Sequence, residues 1–160
     1  QDGSKDRYFQ DFEDDVKKAI VNEINKNLVT EIKVEEINLS LLSRFPNASL
    51  TFSNVSADEF SLHNKKEKLI VAEKVFLQFS VWDLIDKDYR VNKIELKNAE
   101  LFIHIFKDRT ENYQIWKKKT DTTSADFEFE LQKLIFNNVK FHFLNEGSKQ
   151  DYQFTTEKAQ

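Results

Sequence analysis

The stretch KIELKNAELFIHI, Lys93 to Ile105, decides how this chain is read. Ile94 and Leu96 alternate with polar residues, as one face of a β-strand does. The pattern then slips by one residue at Lys97-Asn98. Ala99, Leu101, Ile103 and Ile105 resume it in the opposite phase. KLIFNNVKFHFL repeats the sequence of events, with Leu134 and Phe136, a slip at Asn137-Asn138, then Val139, Phe141 and Phe143. SLTFSNV does so as well: Leu50 and Phe52, Ser53-Asn54, then Val55.

A slip in alternation has two physical origins. A two-residue hairpin turn at Lys97-Asn98 would place Glu95 opposite Glu100, a like-charge pair, and would need a primed turn without glycine. A β-bulge would add one residue to a single long strand and bend it. Charge and turn chemistry both favour the bulge, and repeated bulges predict a curved sheet. The two copies correspond at a constant offset, pairing Val91 with Leu131, Ile94 with Leu134, Leu96 with Phe136, Asn98 with Asn138 and Leu101 with Phe141. Such an internal repeat predicts stacked or progressively extended architecture.

Composition agrees with a β-rich chain. Of 160 residues, 39% are hydrophobic and 32% charged, and 15 Phe stand against 2 Gly and 1 Pro. So little Gly and Pro predicts few tight turns and long strands. Twenty-four basic and 28 acidic side chains leave a net charge of -4, which gives no electrostatic footprint for nucleic acid. The basic run Lys117-Lys118-Lys119 is read as a solvated loop. The absence of cysteine excludes disulfides, thiolate zinc sites and a cysteine nucleophile. No apolar run reaches the ~20 residues that cross a bilayer. The chain opens on QDGSKDR with no Met and no signal-like segment, which predicts a targeting or membrane segment upstream.

Along the chain, residues 5–28 read as an amphipathic helix, with Phe9, Phe12, Val16, Ala19, Ile20 and Ile24 at three- and four-residue steps. From residue 31 the period becomes 2. Ile32 and Val34 slip at Glu35-Glu36 to Ile37, Leu39 and Leu41, and Pro46 breaks the strand. In LIVAEKVFLQFSVW, Leu69, Val71, Val75, Leu77, Phe79 and Val81 read as one clean face. DLIDKD is a helical turn or a loop, DRTENYQIWKK (residues 108–118) a capping loop with a short strand, residues 117–126 a polar loop, and YQF the start of another strand. The whole chain, 1–160, is expected to be a single domain, the N-terminal section of a larger protein, with the sheet over 31–160.

Catalytic signatures are missing. There is no phosphate loop, nucleophile elbow, HExxH or paired-glycine fingerprint. His104 and His142 fall on strands opposite the apolar stripe, and with His63 they offer no evident third metal ligand. The acidic cluster from Asp11 to Asp15 lacks calcium-loop spacing. No cofactor or metal is expected, and the chain reads as non-enzymatic.

The order of elements resembles the N-terminal region of AsmA-family proteins. Phe45-Pro46 before a strand, Leu50-Thr-Phe52-Ser-Asn54-Val55, Ile94-x-Leu96-x-Asn98-Ala99-x-Leu101 and Asn112-Tyr113 after a polar turn carry the resemblance, which spans roughly residues 8–145. The family often has Gly where Asn98 stands, and a Gly-Arg-x-Asn-Trp-like turn where this chain has Arg109 to Tyr113. The resemblance implies a periplasmic envelope protein of double-membraned bacteria, held in the inner membrane by an N-terminal helix and related to the TamB and chorein-type bridge proteins. It implies phospholipid as the partner, carried along an apolar β-gutter in lipid transport and outer-membrane biogenesis.

The fold class expected is therefore α+β: an N-terminal amphipathic helix on a long, strongly curved, mainly antiparallel sheet, an open gutter or half-barrel. The candidate lipid-facing residues are Val75, Leu77, Phe79, Val81, Ala99, Leu101, Ile103, Ile105, Val139, Phe141 and Phe143. The same residues would equally form an ordinary core beneath the helix. A rival reading is a structural scaffold that recruits envelope proteins by strand addition at a sheet edge.

Overall fold

The computed structural model describes residues 3–60, 67–86, 90–115 and 129–159. Helix α1 (Gly3–Asn27) precedes an open, seven-stranded, mainly antiparallel sheet. The strands are β1 (Ile32–Lys33), β2 (Glu36–Arg44), β3 (Asn47–Asp58), β4 (Lys68–Ser80), β5 (Val91–Ile105), β6 (Phe129–Asn145) and β7 (Gln150–Ala159), with the short helix α2 (Val81–Ile85) between β4 and β5. Their order across the sheet is β1-β3-β4-β5-β6-β7, and β2 continues the β1 edge along β3. The fold is thus α+β, and the sheet does not close on itself. The polar loop expected at 117–126, and His63, lie outside the described residues.

Helix α1 packs with only one half of its length. Val16 and Ile20 are buried, with Val21 and Ile24 against the same cluster, an i, i+4, i+5, i+8 stripe. Phe12 is 41% exposed and Tyr8 74%, so the apolar stripe does not continue to the N-terminus. Lys26 in the last turn complements the helix dipole. After it, Val29 N–H donates to Ile115 O at 2.7 Å, tying the helix end to the segment that leaves β5.

The slip at Lys97-Asn98 is not a hairpin turn, and the pairing of β5 with β4 and β6 does not shift register there, as it would at a bulge. β5 runs unbroken, Glu95 pairs with Phe76 and Ile135, and Glu100 pairs with Val71 and Lys140. The repeat also acquires a spatial meaning, because β5 and β6 are parallel neighbours that pair at the same offset of 40 from Lys93↔Lys133 to Ile105↔Asn145. The expected match of Val91 with Leu131 does not hold; Val91 pairs with Phe129, across a register shift between Val91 and Lys93.

The slips of β3, β4, β5 and β6 fall at one level, with Glu35, between β1 and β2, and Glu157 of β7 at its two ends. Register places Glu35 opposite Asn54, Asn54 opposite Glu73, Glu73 opposite Asn98, Asn98 beside Asn138, and Asn138 opposite Glu157. None of the pairings shifts across this row, so the change of phase is shared by neighbouring strands. Asn54, Asn98 and Asn138 adopt the left-handed region at φ 51°, 50° and 53°, which Asn tolerates better than other non-glycine residues. Their amides run along the row. Asn54 Nδ2 donates to Glu35 Oε2, Asn98 Nδ2 to Glu73 Oε2 at 2.5 Å, and Asn138 Nδ2 to Asn98 Oδ1 at 2.8 Å.

The row corrects the reading of β4. Its core-facing residues are Ile70 and Ala72, then Val75, Leu77 and Phe79, with the slip at Glu73-Lys74. Val71 is 46% exposed and faces away from the core. Val81 is not a strand residue; it opens α2, while still packing on the core. The shared slip keeps one apolar face continuous from β1 to β6 on both sides of the row, and α1 covers part of it.

Candidate functional site

An apolar cavity of about 400 Å³ lies on the helix-bearing face. The last turns of α1 wall it with Val21, Ile24 and Asn25. The sheet supplies Ile32, Phe52, Val55, Val75, Leu77, Ile94, Leu101 and Ile103, and the segment beyond β5 closes one side with Tyr113 and Ile115. The volume falls within the ~300–1,000 Å³ of small-molecule sites.

A buried polar lock holds that closing segment. Asn112 is fully buried. Its Oδ1 accepts from His104 N–H at 2.8 Å, and its Nδ2 donates to Phe102 O at 2.8 Å and to Glu59 Oε2 at 3.2 Å. Its own N–H donates to His104 O, and its carbonyl accepts from Phe60 N–H, both at 3.0 Å. Glu59, 2% exposed, also accepts Glu67 N–H at 3.3 Å. The backbone after β5 is thus folded back, which presents Tyr113 and Ile115 to the cavity. Burial raises the Tyr113 phenol above its usual pKa, and a hydrogen bond to Glu111 and that residue's charge push the same way.

Among the cavity's polar atoms, Asn25 Oδ1 is buried and has no hydrogen-bond partner among the described residues. Such an orphan costs roughly 1–3 kcal/mol unless something donates to it.

The eleven residues expected to face lipid divide into three groups. Val75, Leu77, Leu101 and Ile103 line the cavity. Phe79, Ala99 and Val139 are 0%, 3% and 0% exposed, buried within the core cluster, and touch no open space. Val81, Ile105, Phe141 and Phe143 are half-buried elsewhere on the sheet or its ends. Phe141 stacks on Phe154 at 4.8 Å, and Phe143 on Tyr152 at 6.3 Å, extending the apolar face onto β7. The cavity residues of α1, β1 and β3 were not singled out from sequence, although Ile32, Phe52 and Val55 alternate visibly. Tyr113 and Ile115 carry no periodic signal.

A larger hollow of about 920 Å³ includes Phe141 and Phe154, but Glu67, Lys68, Glu100, Lys140 and His142 also wall it, which suits water better than hydrocarbon. The two described histidines lie opposite the apolar stripe. His104 Nε2 meets Glu146 Oε1 at 3.0 Å and His142 Nε2 meets Asp151 Oδ1 at 2.7 Å. Phe102 packs against both rings, at 5.4 and 4.9 Å. No group of three potential metal ligands occurs among the described residues, and no described helix is long and apolar enough to cross a membrane.

Compared with known protein families, curated proteins and solved structures, the chain matches none.

Proposed function

We propose that this chain is a non-enzymatic module of the bacterial envelope, AsmA-like in kind, that shields phospholipid acyl chains on the apolar face of its sheet. The observation that carries this reading is the cavity between α1, the sheet and Tyr113-Ile115, whose lining is almost wholly hydrocarbon. Transfer of an acyl chain into it needs no polar chemistry. At ~0.8 kcal/mol per methylene, ten buried methylenes would contribute roughly 8 kcal/mol before ordering costs. Asn25 Oδ1 would accept one hydrogen bond from a donor on the ligand.

In this reading the sheet bends into a gutter along the row of left-handed asparagines. The module sits in the periplasm, and a membrane helix upstream holds it to the inner membrane. A fluorescent fatty-acyl probe provides the test. It should bind the purified chain and be displaced by phospholipid. Leu101→Lys or Ile103→Lys should weaken binding at least tenfold, and Phe76→Lys, on the other face, should not. No binding by the folded wild-type protein, or equal loss from both faces, refutes the reading.

A further inference from the structure

The end of the sheet where β3 begins and β4 stops carries an exposed apolar tip. Phe45, in the turn from β2 to β3, is 62% exposed, and Trp82 and Ile85 on α2 are 58% and 56% exposed. The rings of Phe45 and Trp82 meet edge to face with centroids 6.0 Å apart. Val81 N–H donates to Pro46 O at 2.9 Å, fastening α2 to the turn. Residues three apart share a side of a helix, so Ile85 extends the pair that Trp82 makes with Phe45.

Next to this tip, the face of the sheet turned away from the cavity is basic. Lys93, opposite Gln78 near the end of β4, lies beside Lys133, and Lys74 lies opposite Lys97. Lys158 follows on β7, opposite Asn137. None of these five lysines has an ion pair among the described residues, and Lys74 donates to Ser53 Oγ at 2.7 Å. Like charges directly across a strand gap repel, and Glu95, between Lys93 and Lys97, offsets one charge. Beyond the asparagine row the same face behaves differently. Lys140 there meets Glu100 at 3.0 Å, and His142 meets Asp151 at 2.7 Å. A chain of net charge -4 thus keeps two unrelieved lysine pairs on one half of one face, an arrangement that an anionic surface relieves.

β3, β4, β5 and β6 are each hydrogen-bonded on both sides, so no strand, of this chain or of another, can add to this region. Its occupant is recognised by side chains alone: anions for the lysines and, at their margin, a shallow apolar layer for the tip. A phospholipid bilayer offers both at once. Tryptophan favours the level of the headgroups, and lysine stems lie along apolar surface while the ammonium stays with the phosphates. We infer that this end of the sheet docks on an anionic phospholipid bilayer, with Trp82, Phe45 and Ile85 in the interface and Lys93, Lys133, Lys97 and Lys74 against headgroup phosphates. Asp83 and Asp86 on α2 oppose the approach, so attraction depends on several lysines acting together. The acyl cavity lies on the other face, and docking does not rest on it.

Vesicle flotation tests this, with the chain carrying Trp116→Phe so that Trp82 is the one tryptophan left. The protein should float with vesicles of phosphatidylglycerol and phosphatidylcholine in equal parts, and at least tenfold more weakly with phosphatidylcholine alone. Trp82 fluorescence should shift to the blue and be quenched by bromine placed on the acyl chains near the headgroup. Added salt should weaken binding. Lys93→Glu with Lys133→Glu should weaken it at least tenfold, as should Ile85→Ser with Phe45→Ser, while Lys140→Glu, beyond the asparagine row, should change it less than threefold. Circular dichroism checks that each variant is folded. No flotation of the folded chain, equal binding to both vesicles, indifference to the paired lysine substitutions or a Trp82 that the bromine does not quench would each overturn the inference. So would polyglutamate that binds the lysine face as tightly as the vesicles do, which would assign it to an acidic polypeptide. A chain that binds the fatty-acyl probe but no vesicle loses docking and keeps acyl shielding, and one that floats without binding the probe does the reverse.

Discussion

Asn98 and Asn138 stand side by side on parallel strands, both in left-handed backbone, and Asn138 Nδ2 donates to Asn98 Oδ1 at 2.8 Å. Asn98 Nδ2 passes the chain on to Glu73 at 2.5 Å. Two requirements therefore meet at one residue: a positive φ and an amide. Asn98→Gly meets only the first and should cost about 1 kcal/mol, the net value of the lost hydrogen bonds. Asn98→Val meets neither, and strained backbone adds ~1–3 kcal/mol. Urea denaturation of the two variants should rank them in that order. Equal stability would remove the row's role in holding the sheet.

Asn112 should be the more sensitive asparagine. Its truncation to Ala leaves the Glu59 carboxylate, Phe102 O and His104 N–H short of partners inside the protein. Unsatisfied buried groups and a stranded charge together cost on the order of 3–5 kcal/mol. Thermal melts of Asn112→Ala should show a loss of that order. Hydrogen exchange should report early opening of residues 102–115, ahead of β3 and β4.

Asn25 should behave oppositely. Asn25→Leu removes the orphaned Oδ1 from the cavity wall, and should raise the stability of the empty protein by about 1 kcal/mol. It should also erase any preference for acyl ligands that bear a hydrogen-bond donor over those that do not. Competition between a long-chain alcohol and its methyl ether, read by probe displacement, measures this.

Tyr113 provides a spectroscopic handle on the same cavity. Its phenol is raised by burial first, then by Glu111. Ultraviolet titration should find it ionising above the ordinary value near ~10, and Glu111→Gln should bring it down part of the way. The folded state then holds its proton where the unfolded state has released it, so this residue's contribution falls as pH rises above that ordinary value. An acyl ligand that displaces water from the cavity should raise the phenol further.

Much of the sheet was legible from single stretches. The slips at Asn54, Asn98 and Asn138 stood out because each has apolar alternation on both sides and a polar pair between. The slip at Glu73-Lys74 did not. Leu69, Ile70, Val71 and Ala72 are apolar on both faces, so Val71 could carry the old phase straight through to Val75. At Glu157 too little strand follows to show a change of phase. The cavity was hidden for a different reason. Leu77 and Phe79 are identical in pattern, yet one lines the cavity and the other is fully buried. What separates them is tertiary: Leu77 lies where the last turns of α1 and Tyr113-Ile115 wall the cavity, which no local alternation encodes. Closure by Tyr113-Ile115 depends on Asn112, whose partners come from β5 and from Glu59 and Phe60 just after β3 rather than from any local pattern.

Site-specific photocrosslinking in cells of a double-membraned bacterium tests lipid carriage most directly. Ile103 and Phe102 are adjacent on β5 and point to opposite faces, Ile103 into the cavity and Phe102 toward His142. A photoreactive residue at 103 should form phospholipid adducts, and the same residue at 102 should form few or none. Adducts from both positions alike, or from neither, would contradict an apolar face that carries acyl chains.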